Sequence, residues 1–175
     1  MNRLNRPYTG IGDDEESREV GAVSLQEPAV TSDRQLCRLL QIGVVLEELV
    51  ETDADRAETT DDAVRAVLDD SANEATRHRE TLRSLLGELE ASVDESELAP
   101  LVEARYTPDE ESDGVLYDQL ANEESAYKFY DDLIGAIEAT DATFSIDRER
   151  VVTELKRIRA DEKRGVERVT ELMEQ

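Results

Sequence analysis

The sequence predicts an all-α domain of four long helices, and three observations support this fold class. Apolar residues recur at three- and four-residue spacing in four long windows, which is the periodicity of an amphipathic helix. A capping residue such as Ser, Thr or Asp precedes most of these windows. No window alternates polar and apolar residues for long enough to form a strand. We therefore expect one helical domain over residues 32–175.

The first 31 residues carry no such periodicity. They contain several prolines and glycines and an acidic run from Asp13 to Glu16. A segment of this composition buries too little apolar surface to offset the entropy of ordering it. We predict a flexible N-terminal arm over residues 1–31.

The first two helices begin at capping residues. Ser32 is followed three residues later by glutamine, a capping-box pattern that predicts a helix over about 33–54. The second helix is expected to begin at Thr59 or Thr60, because two aspartates follow and favour the positive end of the helix dipole. Its apolar stripe continues to about Glu90.

The connection over residues 92–112 is too long for a tight turn between helices. It contains a short candidate helix over about 98–105, and Thr107-Pro108 offers a start signal for the helix that follows. The third and fourth long helices are predicted over 114–139 and 147–173. One long connection between the second and third helices, the B-to-C crossover, predicts a four-helix bundle in which this segment returns along the bundle.

One ionisable side chain interrupts the apolar stripe of each helix near its middle. The only histidine of the chain lies on the stripe of the second helix, and a glutamate lies on each of the others. These candidate site residues are Glu47, His78, Glu123 and Glu162. The phase of the first helix leaves Glu48 as the alternative to Glu47. Burying an isolated carboxylate costs several kcal/mol, so four such groups need a shared explanation.

Two explanations fit these four residues. Carboxylate oxygens and an imidazole suit iron, manganese or zinc, and the core of a bundle brings donors from facing helices to one point. The other explanation is a hydrogen-bonded polar layer without metal. In that layer a protonated His78 lies between carboxylates, and Tyr127 or Tyr130 donates further hydrogen bonds.

The residues around these positions resemble those of the ferritin-like superfamily, and within it the rubrerythrin-type di-iron proteins. The stretch 123–130 is similar to that family's pattern of a glutamate followed by aromatic residues and Phe-Tyr. His78 with its following leucines, and Asp161-Glu162, resemble the family's second- and fourth-helix motifs. The resemblance implies a ferritin-like four-helix bundle, commonly a homodimer, with these metal ligands: Glu47, His78, Glu123 and Glu162.

Two ligand positions of that family carry no ligand here. Ala75 lies three residues before His78, where the family has glutamate, and Gly165 lies three residues after Glu162, where it has histidine. We therefore expect a degenerate centre that binds a single iron, manganese or zinc ion, and the resemblance implies oxygen or peroxide chemistry linked to iron handling if a metal is kept. The alternative is a metal-free bundle that serves as a structural or protein-interaction module. Whether the protein is an enzyme stays open between these two.

The charge composition bears on habitat and partners. The chain has 44 acidic and 20 basic residues, a formal net charge of -24 at pH 7, and only three lysines. This acid-rich, lysine-poor composition resembles that of proteins from salt-accumulating haloarchaea, where molar salt screens repulsion beyond about 3 Å. Because negative charge repels phosphates, nucleic acid and anionic membrane surfaces are not expected as partners.

Three further features concern localisation. No stretch of about 20 apolar residues is present to span a membrane. The first residues lack a basic segment followed by an apolar one, as secretory signals have. Cys37 is the only cysteine and cannot form an internal disulfide. We expect a cytoplasmic protein.

Overall fold

The computed structural model describes residues 29–106 and 114–175, and in this part of the chain it has five α-helices and no strand. The helices are α1 (Asp33–Arg56), α2 (Asp62–Glu88), α3 (Glu95–Tyr106), α4 (Val115–Glu138) and α5 (Arg148–Met173). The all-α prediction is confirmed, and the four long helices lie within a few residues of their predicted ranges. Most of the predicted N-terminal arm and the Thr107-Pro108 start signal lie outside the described residues.

Side-chain caps determine where three of the long helices begin. Ser32, Asp61 and Asp147 each accept a hydrogen bond from a backbone N–H in the first turn of the helix that follows. The predicted start of the second helix at Thr59 or Thr60 is therefore slightly early. The Asp61 carboxylate accepts two backbone N–H groups, and the helix begins directly after it.

The long helices pack as two extensive pairs. α1 packs against α2 and α4 against α5, while contacts of α2 with α5 and of α1 with α4 join the pairs around one core. α3 lies in the long connection and packs against α1, where it buries Leu98 and Val102. Val30 is also buried, and its N–H donates to the Ala136 carbonyl of α4. Within the described segments, none of the helices combines the length and the apolar character needed to cross a membrane.

The buried face of α4 includes a polar residue, Gln119, beside the predicted Glu123. Gln119 and Ala126 are buried, whereas Leu120 and Tyr127 are only half-buried. Hydrophobicity alone would place the leucine and the tyrosine in the core. The interior position of Gln119 has a polar cause, because its amide donates to Glu123 one turn further along the helix.

Candidate metal centre

The four polar residues predicted on the apolar stripes all lie in the core, each at most 5% exposed. They are Glu47 on α1, His78 on α2, Glu123 on α4 and Glu162 on α5. Buried residues lie one turn before and after each of them on the same helix face, so the helix carries the polar side chain inward. Glu48, the alternative on α1, is partly exposed and pairs with Arg83, with Arg83 Nη2 2.7 Å from Glu48 Oε1.

Three of the four side chains converge on one point. One potential ligand atom from each of Glu47, His78 and Glu162 lies within 4.8 Å of the others. His78 Nδ1 lies 3.0 Å from Glu162 Oε1 and 3.4 Å from Glu47 Oε1. Despite these distances the buried Nδ1 has no hydrogen-bond partner of regular geometry. A nitrogen that faces two carboxylates without a well-directed hydrogen bond is suitably placed to coordinate a cation.

The other ring nitrogen of His78 is held by Asp161. Nε2 lies 3.0 Å from Asp161 Oδ2, and Asp161 also forms an ion pair with Arg164. When a carboxylate accepts a hydrogen bond from Nε2–H of a neutral histidine, the lone pair of the ring lies on Nδ1. In this protein Nδ1 faces Glu47 and Glu162. Sequence reasoning did not select Asp161 for this role, because its neighbour Glu162 occupies the apolar stripe.

Glu123 lies beside the three converging residues rather than among them. Its Oε1 accepts a hydrogen bond of 2.6 Å from the Ser71 hydroxyl and one of 2.7 Å from the Gln119 amide. Its carboxyl group also hydrogen-bonds to Glu162. Glu123 therefore connects the candidate centre to a second polar group that includes two neutral donors missed by sequence reasoning.

Gly165 explains one departure from the family's ligand pattern. A Cβ atom at this position would overlap the carboxylate of Glu123. The space that a histidine side chain would need at position 165 is thus filled from α4. Glu74, the acidic neighbour of Ala75, is directed to Arg168 instead, with Arg168 Nη2 2.6 Å from Glu74 Oε2. Glu74 is therefore paired on the side of Arg168 and is not among the converging ligand atoms.

Burial alters the ionisation of the carboxyl groups. Desolvation, followed by the charge of Glu162, raises the pKa of Glu123 from 4.5 to about 7. Desolvation, followed by the charge of Glu47, raises the pKa of Glu162 to about 7 as well. Near neutral pH each of the two carboxyl groups is therefore partly protonated.

His78 and Tyr130 respond to the same carboxylates. Burial by itself lowers the pKa of His78, but contact with Glu162 and Glu47 outweighs it and raises the pKa from 6.5 to about 11. Tyr130, rather than Tyr127, donates its hydroxyl proton to Glu47 Oε1. Burial and the charge of Glu47 raise the pKa of Tyr130 well above its usual value, so the phenol stays neutral. Without metal, His78 is thus an imidazolium in contact with Glu47 and Glu162.

Comparison of this chain with protein-family models, curated proteins and solved structures finds no match in any of the three. The ferritin-like resemblance therefore rests on the residues of this chain alone.

Proposed function

We propose that the protein binds a single divalent metal ion through Glu47, His78 and Glu162, in the core of a ferritin-like four-helix bundle. The observation that carries this proposal is the convergence of His78 Nδ1 with the two carboxylates, while Asp161 occupies the opposite nitrogen. Two carboxylates with a neutral imidazole balance the charge of a divalent cation. Asp161, on the other ring nitrogen, supplies the outer support that metal-bound histidines usually have.

The donor set indicates the class of metal. Two oxygens and one imidazole nitrogen suit iron, manganese or zinc better than softer ions. With three protein ligands the ion would keep open positions, at which it would supply Lewis acidity or, if it is iron, oxygen or peroxide chemistry by analogy with the resembling family. A dinuclear centre is disfavoured, since Ala75 and Gly165 replace two ligands and the carboxylate of Glu123 fills the space beside Gly165.

Metal binding at this site must release protons from the ligands. In the metal-free state Nδ1 of His78 carries a proton, because the pKa of the imidazole is about 11. An ion must displace that proton and also compete with the protons held by Glu162. Affinity should therefore rise with pH across the neutral range.

Metal loading provides the direct test. Protein purified in molar KCl is incubated with Mn²⁺, Zn²⁺ or anaerobic Fe²⁺, desalted and analysed for metal. We expect about one equivalent in the parent protein, loss of most of it in His78→Ala, and retention in the surface control Glu48→Gln. Less than about a tenth of an equivalent of every metal in the parent protein would refute the proposal.

A second candidate function is a metal-free bundle that acts as a structural or protein-interaction module. The imidazolium state of His78 favours it, because a cation between Glu47 and Glu162 already compensates their charges. The two candidates differ in one measurable respect. Only the metal-binding protein gains thermal stability when a divalent cation is added and loses it with a chelator.

A further inference from the structure

A cavity of about 180 Å³ opens at the end of α1, between that helix and the first turns of α2 and α4. One water molecule needs on the order of 10–15 Å³ of such space, so the cavity has room for a hydrated ion. Its lining includes Asp53 and Arg56 of α1, Leu68 of α2, and Val115, Asp118, Gln119 and Asn122 of α4.

The cavity is connected to the candidate metal centre through hydrogen bonds that begin at Gln119. Gln119 lines the cavity and is 98% buried, since only 2% of it is exposed. Its amide donates to Glu123, which in turn hydrogen-bonds to Glu162. Leu68 lies one helical turn before Ser71, the other donor to Glu123. On α4 the lining residue Gln119 therefore lies one turn from Glu123, and on α2 the lining residue Leu68 lies one turn from Ser71.

The lining favours a cation over an anion. Asp53 and Asp118 contribute two carboxylates against one guanidinium, that of Arg56. Asn122 holds Asp53 with a hydrogen bond of 3.3 Å, and burial raises the pKa of that carboxyl group. Carboxylate and amide oxygens are the groups that hydrated divalent cations prefer in proteins. An acid-lined cleft also concentrates cations locally.

We propose that this cavity is the entry route for the metal ion, in which Asp53 and Asp118 receive a hydrated divalent cation and Gln119 and Glu123 transfer it to the three converging ligands. This inference rests on the proposed function, because a route requires a destination. It assigns kinetic rather than equilibrium roles to the lining residues. Closing the cavity changes how fast the ion arrives and not how many ions are bound.

The test uses Co²⁺ as the probe, since its visible absorption reports coordination by protein ligands. Full-length protein in molar KCl is mixed with Co²⁺ in a stopped-flow instrument, and bound metal is measured separately after equilibration. Val115→Trp fills the cavity, and Tyr117→Trp is its control, because Tyr117 lies on the same turn of α4 but is 55% exposed. Asp53→Asn removes a lining charge, and Asp55→Asn removes an exposed charge two residues away.

We expect association to slow by about tenfold in Val115→Trp and by about threefold in Asp53→Asn, with bound metal at equilibrium unchanged and both controls at the parent rate. Parent rates in both cavity variants would overturn the entry route and leave the metal centre intact. Absence of Co²⁺ binding by the parent protein would instead remove the centre, and the route with it. If Val115→Trp does not fold, the pair of aspartate variants still decides the question.

Discussion

The carboxylate of Glu123 occupies the space that any side chain at Gly165 would require. This relationship joins α4 to α5 at the level of the candidate centre, and Ser71 and Gln119 hold the carboxylate there. Replacement of a helical glycine by alanine ordinarily stabilises a helix by up to about 1 kcal/mol. At position 165 this gain is opposed by displacement of a buried, hydrogen-bonded carboxyl group.

We expect Gly165→Ala to lower the melting temperature of the protein. The matched control is Gly135→Ala in α4, where a Cβ atom meets nothing within 4 Å and stability should rise. Adding Glu123→Ala to Gly165→Ala should recover part of the loss, because it removes the clashing group. Stabilisation by Gly165→Ala alone, equal to that of the control, would show that Glu123 does not fill this space.

Removal of the imidazole should destabilise the metal-free protein. His78→Leu leaves Glu47 and Glu162 buried without their cation, and breaking a buried charge pair in this way costs about 3–5 kcal/mol. Denaturant unfolding with a chelator present measures this loss. The triple replacement of Glu47, His78 and Glu162 by leucine should recover most of it. Unchanged stability in the single variant would contradict the buried ion cluster.

The pH dependence of stability should have opposite signs with and without metal. The folded-state pKa values of Glu123 and Glu162 are raised from 4.5 to about 7, so their protonated forms add stability that is lost as pH rises through 7. The pKa of His78 is raised from 6.5 to about 11, so its contribution is complete below 6.5 and is lost as pH rises through 11. Metal-free protein should therefore melt lower at pH 8 than at pH 5.

Bound metal reverses this trend, because its ligands must be deprotonated. The stabilisation produced by added Mn²⁺ or Zn²⁺ should grow between pH 6 and 8, as measured by melting temperature at constant ionic strength. Glu123→Gln serves as the control for general charge repulsion. Because glutamine does not titrate, the melting temperature of this variant without metal should fall less steeply with pH than that of the parent protein. A metal-induced shift that shrinks over this range would contradict coordination by these groups.

Asp161 should affect metal affinity without being a ligand. Loss of the outer carboxylate of a metal-bound histidine typically reduces affinity by about 10- to 100-fold, and Asp161→Asn tests this by competition with a chelator. Asp131→Asn is the matched control, because Asp131 is also paired with an arginine on α5, Arg159, but lies on the surface. Equal affinities for the two variants would remove the orienting role of Asp161.

Much of the fold and of the site was predictable from local sequence. Amphipathic periodicity and capping residues are short-range signals, and they predicted the four long helices and the all-α class. The inward positions of Glu47, His78, Glu123 and Glu162 followed from the same periodicity, since a polar residue between buried apolar neighbours is carried into the core.

Contacts between helices were not predictable in this way. Three relations depend on the rotation of one helix relative to another. Glu48 points away from the core, Tyr130 rather than Tyr127 donates to Glu47, and Asp161 supports His78. The same is true of Gln119, which is buried because a carboxylate one turn away accepts its amide proton.

The sequence by itself thus determined that each long helix carries one ionisable side chain on its apolar face, because that face is defined by the spacing of the helix's own residues. Only the tertiary structure decided that three of them meet at one point, that Glu123 fills the space beside Gly165, and that a cavity lined by Gln119 opens at the end of α1. These are relations across helices, and they arise from how the helices pack rather than from the periodicity of any one of them.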